Sequence, residues 1–423
     1  MSDLRVGYGE ASITPAVGVE MTGFGQYLGR CVESVLDDIK ARALVLREGG
    51  SGLVLINCDL LGLAVDVSDQ FRAVLSAAVG LPPANVILAC THTHTGPAAM
   101  KLRGMGEPHP LYLARLGKAL EAAVAQAEHG LAPAKCSWRI TATAPIGYNR
   151  RNGTFHPIDP ALKLLSFDGP SGRILLLNYA CHPVTLGPSS QVSADWPGAV
   201  AAELAARGLR AVVFNGFSAD INPVTWLDRL PTGTEEDVRF LGRIIADRAV
   251  RCLGHLQPLE KTGLRAVEQR VALPLTVPTE EEIERGAAQW AEWHRGKDPA
   301  KRLYDEWRAD VLARLPALRE RPVLANVPVQ AAAIGEVKFL GLPGETFCEH
   351  GLRLRREWAP LFTLGCCQGN VGYLPTREAY AGAKEKDYEC YVATKYYGPL
   401  PFAPAVDEAL AKAGGEVLRA VTT

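Results

Sequence analysis

Short apolar runs, rich in leucine and β-branched residues, recur along the chain, and each is followed by small or polar residues. Such runs are typical of strands buried in a sheet; they are LVLINCD (53–59), NVILAC (85–90), RILLLNYA (173–180), RAVVFNG (210–216) and EVKFLGLPG (336–344). Helical patterns with plausible ends lie between them, at 66–79, 110–129, 197–207 and 236–253. The alternation predicts an α/β fold, with a large mixed β-sheet flanked by helices.

The segment from about 279 to 320 breaks this alternation, because it is charged and helical and carries Trp290, Trp293 and Trp307. We interpret it as a helical hairpin inserted into the main domain, with tryptophans that pack in a core rather than stack on a ligand. The sequence contains no internal repeat or low-complexity linker. A single domain over residues 1–423 is therefore the simplest prediction.

Composition and charge exclude some functions. At 423 residues and 48% hydrophobic, the chain can bury a large core. Its 45 basic and 46 acidic side chains give a formal charge of −1, and like charges form no long block, so we expect no nucleic-acid partner. Several of the ten cysteines lie in apolar strands, and Cys366 and Cys367 lack CxxC spacing. We therefore expect reduced, buried thiols.

The N-terminal stretch MSDLRVGYGEASITP lacks the basic start and apolar centre of a secretory signal. Runs of about 18 apolar residues, as a membrane-spanning helix requires, do not occur in the sequence. We expect a cytoplasmic protein without an integral membrane segment. The sequence leaves homo-oligomerisation open.

Polar residues follow the predicted strands where these strands end. They are His92 and His94 in THTHTGP, His182 in NYACHP, Glu345 in LPGETF and Tyr373 in NVGYLPT. Ligand sites of open α/β sheets form beyond the carboxyl ends of strands, so we predict the active site there.

Two histidines and a glutamate supply the minimum ligand set for catalytic zinc. Because His92 and His94 are two residues apart, an extended backbone would direct both side chains into one cavity. One of them can bind the metal while the other transfers protons. Each residue alone also has a structural interpretation: His182 bonded to backbone, Glu345 at the start of a helix, and Tyr373 in packing. Their joint occurrence at strand ends favours a site.

The motifs THTHTGP, NYACHP, SADWPG, LPGE and GYLPT occur in this order along the chain, together with VGYGEASITPAVGVEMTGFG, ARALVL and YNRR (148–151). This set resembles the N-terminal catalytic domain of the neutral/alkaline (non-lysosomal) ceramidases, which are zinc-dependent amide hydrolases. The resemblance covers nearly the whole chain. It implies that Zn²⁺ is held by His92, His182, Glu345 and Tyr373. It also implies that His94 is the acid/base near the leaving nitrogen and that Arg150 points at the substrate.

The chain departs from the family pattern at one catalytic position. Ceramidases read roughly GDVSPN where this chain reads SADINPV, so that Asn222 stands at the family's serine position. Asparagine cannot be a hydroxyl nucleophile, although it can form hydrogen bonds to an oxyanion together with Arg150 and Tyr373. From the same resemblance we expect the chain to end near the end of the catalytic domain and to lack the C-terminal β-rich domain and the secretory signal of the family.

We therefore predict a zinc-dependent amidohydrolase, with Zn²⁺ as its cofactor, that cleaves the carbon–nitrogen bond of a small N-acyl or cyclic amide by zinc-activated water. The alternatives are a zinc-dependent esterase or lactonase and a non-catalytic binding protein on the same scaffold. Asp195 and Asp220 are candidates either for orienting the site or for capping helices. Tyr396 and Tyr397 are candidates either for the pocket or for packing.

Overall fold

The protein has a mixed α/β fold, as predicted. The structure is a computed structural model, and it describes residues 3–25, 27–228, 231–293, 300–384, 386–398 and 400–422. The strands are β1 (Arg5–Ser12), β2 (Ser34–Val35), β3 (Lys40–Glu48), β4 (Ser51–Cys58), β5 (Val86–Cys90), β6 (Ala132–Pro133), β7 (Lys135–Ala142), β8 (Gly147–Asn149), β9 (Ala161–Gly169), β10 (Gly172–Tyr179), β11 (Gln191–Val192), β12 (Arg210–Asn215), β13 (Ile221–Pro223), β14 (Gln257–Pro258), β15 (Leu264–Pro274), β16 (Val323–Ile334), β17 (Val337–Gly341), β18 (Glu345–Thr346), β19 (Leu361–Leu364) and β20 (Tyr373–Leu374). The α-helices are α1 (Val65–Val79), α2 (Pro110–His129), α3 (Asp195–Ala205), α4 (Glu235–Cys252), α5 (Glu280–Trp293), α6 (Ala300–Glu320), α7 (Cys348–Trp358), α8 (Arg377–Gly382), α9 (Thr394–Tyr397) and α10 (Val406–Thr422). A π-helical turn covers Tyr388–Val392.

The strands are distributed among several sheets rather than joined in one large sheet. Within the described ranges, two sheets have five strands, ordered β5-β4-β3-β1-β6 and β12-β10-β9-β7-β14, and a third has the order β15-β16-β17-β19. Each of these sheets contains one parallel pair: β4 with β5, β10 with β12, and β17 with β19. Parallel strands end at the same edge of a sheet, which places the loops after them close together.

The core lies between the sheets and is closed by helices outside them. In β4, Leu53 and Leu55 join the cluster shared by the three sheets, whereas Val54 and Ile56 join the cluster beneath α1 and α2. This alternation is the two-residue period of a strand buried on both faces. Helices α3 and α4 cover the second sheet in the same way, and α10 covers the third.

The helical hairpin predicted at 279–320 is present as α5 and α6, between β15 and β16. Trp290 and Trp307 are buried, and Trp290 packs edge-on against Tyr396 with ring centroids 5.1 Å apart. These two tryptophans therefore pack as predicted; the side chain of Trp293 lies outside the described residues. Through Tyr396 the hairpin supports the chain segment that continues to Tyr397.

None of the described helices is long and apolar enough to cross a membrane. All ten cysteines are free thiols, and nine of them are buried. The prediction of reduced, buried cysteines is therefore confirmed for all but Cys31, which is half-buried.

Candidate active site

His92 lies two residues beyond the end of β5 and has a positive φ of 71°. The expectation that His92 and His94 share an extended backbone is therefore wrong. A left-handed turn at His92 instead brings its Nε2 atom to 3.2 Å from the Nε2 atom of His94. Left-handed backbone is unfavourable for a non-glycine residue and recurs at functional sites.

Backbone carbonyls orient the rings of His92 and His182. The Nδ1 atom of His92 lies 2.7 Å from the Leu61 oxygen, and that of His182 lies 3.0 Å from the Ser218 oxygen. Because a carbonyl can only accept, Nδ1 of each ring carries the hydrogen, and Nε2 is directed inward. Metal-binding histidines are held in this way by their second nitrogen.

Glu345 lies at the same centre. Its Oε2 atom is 3.1 Å from His92 Nε2 and 3.5 Å from His182 Nε2. Two ligand atoms bound to a tetrahedral zinc ion are about 3.3 Å apart, given bonds of about 2.0–2.1 Å. A cavity of about 10 Å³, lined by these three residues among others, is close to the smallest that holds one water molecule.

Two of these candidate metal-ligand atoms are buried and have no hydrogen-bond partner among the described residues. Neither His182 Nε2 nor Glu345 Oε2 forms a hydrogen bond to any residue that the structure describes. Buried polar atoms are costly when they are unsatisfied, and lone pairs that converge on one point are suited to a cation. The residues present therefore fit a bound zinc ion.

The charges at this centre also suit a cation. Burial opposes ionisation of Glu345, but His92, His182 and Tyr397 outweigh burial and lower its pKa to about 2. Burial and the nearby Arg150 guanidinium lower the pKa of His182 well below its ordinary value, so its imidazole is neutral. Burial also acts on His92, but Cys366 and Glu345 raise the pKa of its imidazole. Histidine binds a metal ion in its neutral form, so metal binding at His92 would release the proton that this raised pKa favours.

Tyr373, Arg150 and Asn222 meet beside this centre. Tyr373 is the direct partner of Glu345 in the parallel pair of β18 and β20. Arg150 donates from Nη2 to the Tyr373 hydroxyl at 3.1 Å and from Nη1 to Asn222 Oδ1 at 3.2 Å. Its Nε donates to Glu389 at 2.8 Å. The structure thus brings the sequence-predicted residues together, while metal binding by Tyr373 stays a prediction.

The seven predicted residues lie at two depths. His92, His182 and Glu345 line the small deep cavity, whereas the other four line a larger open cavity of about 630 Å³: His94, Arg150, Asn222 and Tyr373. Together His92, His94 and His182 form a buried three-histidine group that can hold a metal ion. The Nδ1 atom of His94, however, has no hydrogen-bond partner in the described residues, which distinguishes it from the two oriented rings.

Tyr397, Tyr388 and Glu389 also belong to the site. The Tyr397 hydroxyl donates to Glu345 Oε1, and Tyr388 packs edge-on against Tyr373 with centroids 5.8 Å apart. Of the two tyrosines in KYYGP, Tyr396 packs against Trp290 while Tyr397 reaches the site, because adjacent helical residues point about 100° apart. The motif alone does not show which of the two tyrosines faces the active site and which faces the helical hairpin. No sequence signal marks Tyr388 or Glu389 as site residues.

Asp195 and Asp220 hold the loops of the site. Asp195 begins α3, and its carboxylate accepts from the backbone N–H of Trp196 at 2.7 Å and of Leu186 at 3.0 Å. It therefore anchors both the helix start and the loop after His182. Asp220 accepts from Asn149 Nδ2 at 2.9 Å and from the backbone N–H of Cys348 at 2.8 Å. This joins the strand before Arg150 to the segment after Glu345.

The buried carboxyl group of Asp195 should make the free energy of unfolding depend on pH. Burial raises its pKa from 3.8 to about 6, so the folded state binds this proton more tightly than the unfolded state. The free energy of unfolding therefore falls as pH rises from about 4 to about 6. We expect Asp195→Asn to gain about 1–3 kcal/mol relative to the wild type over this window, since one pKa unit corresponds to about 1.4 kcal/mol.

Urea unfolding at pH 4 and at pH 7 measures this difference. The control is Asp66→Asn, which changes an exposed aspartate in the first turn of α1. If the difference between Asp195→Asn and the wild type were the same at both pH values, the burial argument would be wrong.

This chain is similar in structure to proteins whose structures have been solved. Neither the known family models nor the curated protein sequences contain a match to this chain. Neutral ceramidase from Pseudomonas aeruginosa has a TM-score of 0.79 and 19% sequence identity, covering 100% of this chain and 75% of the other. A ceramidase complexed with C2 has a TM-score of 0.78 and 20% identity, with the same two coverages. The chain therefore shares its fold with these proteins.

Proposed function

We propose that this chain, which has the neutral-ceramidase fold, is a zinc-dependent amidohydrolase. The observation that carries the proposal is that Glu345 Oε2 lies 3.1 Å from His92 Nε2 and 3.5 Å from His182 Nε2. Two of these atoms are buried and lack hydrogen bonds to the described residues. We assign His92, His182 and Glu345 as zinc ligands and Tyr373 as the fourth.

Zinc at this position would polarise the substrate carbonyl and supply a water of lowered pKa. The protein supplies the groups around it. Arg150 is held by Glu389 and Asn222 at the wall of the open cavity, where its guanidinium can donate to the developing oxyanion. Such a donor commonly contributes about 3 kcal/mol of transition-state stabilisation. Asn222 Oδ1 accepts from Arg150, so we assign it a positioning role for the guanidinium.

His94 is the proposed proton donor to the leaving nitrogen. Its Nε2 lies 3.2 Å from His92 Nε2, and its ring lines the open cavity where the substrate binds. Burial and the neighbouring His92 lower the pKa of His94 well below its ordinary value, which favours the neutral ring that can accept a proton before passing it on. An amine is a poor leaving group without such a proton.

Zinc content and amide turnover of the purified protein test this function. We expect about one zinc per chain by inductively coupled plasma mass spectrometry, after zinc loading and dialysis. We expect a fluorogenic short N-acyl amide to be cleaved, with loss of turnover in chelator and recovery when zinc is restored. A long-chain ceramide and a lactone are assayed in parallel.

Two results would contradict the proposal. Failure to retain zinc after loading would leave a binding protein as the better description. Turnover of the lactone without turnover of any amide would identify an esterase or lactonase. Cleavage of the ceramide alone would restrict the amide class without changing the chemistry.

A further inference from the structure

One wall of the open cavity is aromatic. Phe24 and Trp226 line it with nearly parallel rings, 6.3 Å between centroids and 28° between planes. Together with Tyr148 and Val184 they form a small apolar cluster separate from the main cores. Ligand cavities are lined mainly by apolar and aromatic side chains, so a cluster that lines a cavity can contact a bound ligand.

This wall adjoins the proposed proton donor. The Phe24 ring packs edge-on against His94, with centroids 5.0 Å apart. Gly23 backs the same ring so closely that a Cβ atom there would lie 2.8 Å from the His94 Cβ. In the proposed function His94 delivers its proton to the leaving nitrogen, which would place the substituent on that nitrogen beside Phe24 and its neighbour Trp226.

The charged groups that line the same cavity are paired with one another. Arg150 pairs with Glu389 at 2.8 Å, and Arg151 pairs with Glu389 at 2.6 Å and with Asp387 at 2.8 Å. Two guanidinium groups thus face two carboxylates. The Arg30 guanidinium lies over the Phe24 ring, 5.1 Å from its centroid, but Arg30 does not line the cavity. The wall therefore offers uncharged aromatic surface to the cavity and favours an uncharged, flat substituent.

From these contacts we propose that the aromatic wall binds the amine half of the substrate, and that this half carries an aromatic ring. The substrate class is then an N-acyl arylalkylamine. The inference rests on the proposed function, because His94 sets which half of the amide faces the wall. Trp226 and Phe24 are its specificity-determining residues.

A pair of reversed amides tests the proposal directly. N-benzylacetamide carries its ring on the amine half, and its isomer N-methyl-2-phenylacetamide carries the same ring on the acyl half. We expect Trp226→Ala to lower kcat/KM for N-benzylacetamide about 10- to 100-fold, and that for the isomer by less than about threefold. Trp226→Phe keeps an aromatic face and is expected to retain most of the preference. Trp226 Nε1 has no hydrogen-bond partner in the described part of the chain, so its removal breaks no bond.

Binding without turnover separates this inference from the proposed function. Calorimetry on the chelator-treated protein measures the Kd of N-benzylacetamide, which we expect Trp226→Ala to raise about tenfold or more. Trp358→Ala changes a half-buried tryptophan at the end of α7, outside the cavity lining, and is expected to leave this Kd unchanged.

The possible outcomes are distinct. Trp226-dependent binding in a protein that cleaves no amide would uphold the aromatic wall and reject the amidohydrolase. Amide cleavage that is indifferent to Trp226, or a greater loss with the acyl-side isomer, would overturn the aromatic amine class while leaving the amidohydrolase intact.

Discussion

Replacing His182 by alanine is expected to lower zinc affinity at least about a hundredfold and to abolish amide turnover. His182 Nε2 is buried and has no hydrogen-bond partner in the described residues, and its Nδ1 is fixed by the Ser218 carbonyl. Removing only the group that orients a ligand typically costs 10- to 100-fold in metal affinity or activity. Loss of the ligand itself removes one of the four proposed protein donors, so we expect its effect to be at least as large. Competition with a chelator of known affinity gives the Kd, and mass spectrometry gives the stoichiometry.

His350→Ala is the matched control for His182→Ala. His350 is a buried histidine that lies 3.6 Å from Asp407 and does not line either cavity of the site. Both substitutions remove a buried ring, so both are expected to destabilise the fold. Only His182→Ala is expected to lose zinc. Equal zinc retention in the two variants would show that His182 is not a ligand.

Replacing His94 by glutamine is expected to separate amide from ester hydrolysis. Proton donation to a leaving group typically contributes about 10²–10⁴ in rate, and an amine requires it. We therefore expect amide turnover to fall by about that factor. For an activated ester such as 4-nitrophenyl acetate, whose leaving group needs no proton, we expect a loss of less than about tenfold. Zinc content is expected to be unchanged, because His94 lacks the carbonyl contact that orients His92 and His182.

Zinc content is the decisive second measurement on His94→Gln. The three histidines lie close enough for all of them to hold a metal ion. Loss of zinc from this variant would make His94 a ligand and would remove it from the role of acid. Equal losses with amide and ester would likewise argue against proton donation to the leaving group.

Most of the secondary structure near the site was predictable from local patterns. The run NVILAC predicts β5, which ends at Cys90 as expected, and RAVVFNG predicts β12 within one residue. Hydrophobic periodicity is a local property, and each of these strands is buried on both faces. The start of α3 is less well predicted, at residue 197 rather than Asp195, because a buried aspartate in left-handed backbone begins that helix.

The fold class is confirmed, whereas a single domain over residues 1–423 and a cytoplasmic location stay predictions. The distribution of strands among several sheets was not predictable, because the same apolar runs suit one sheet or several packed face to face. Which strands share a sheet depends on contacts between residues far apart in the chain. Those contacts leave no trace in a single sequence.

The residue types at the site, and the prediction of a metal there, come from the sequence alone, since histidine and glutamate at the ends of buried strands suit zinc. Their geometry does not. The left-handed turn at His92, the Leu61 and Ser218 carbonyls that orient two rings, and the contact of Tyr397 with Glu345 all join distant segments. The aromatic wall of Phe24 and Trp226 is likewise formed from positions about 200 residues apart. Only tertiary packing decides such contacts, because they depend on where separate strands end in space rather than on the residues beside them in the chain.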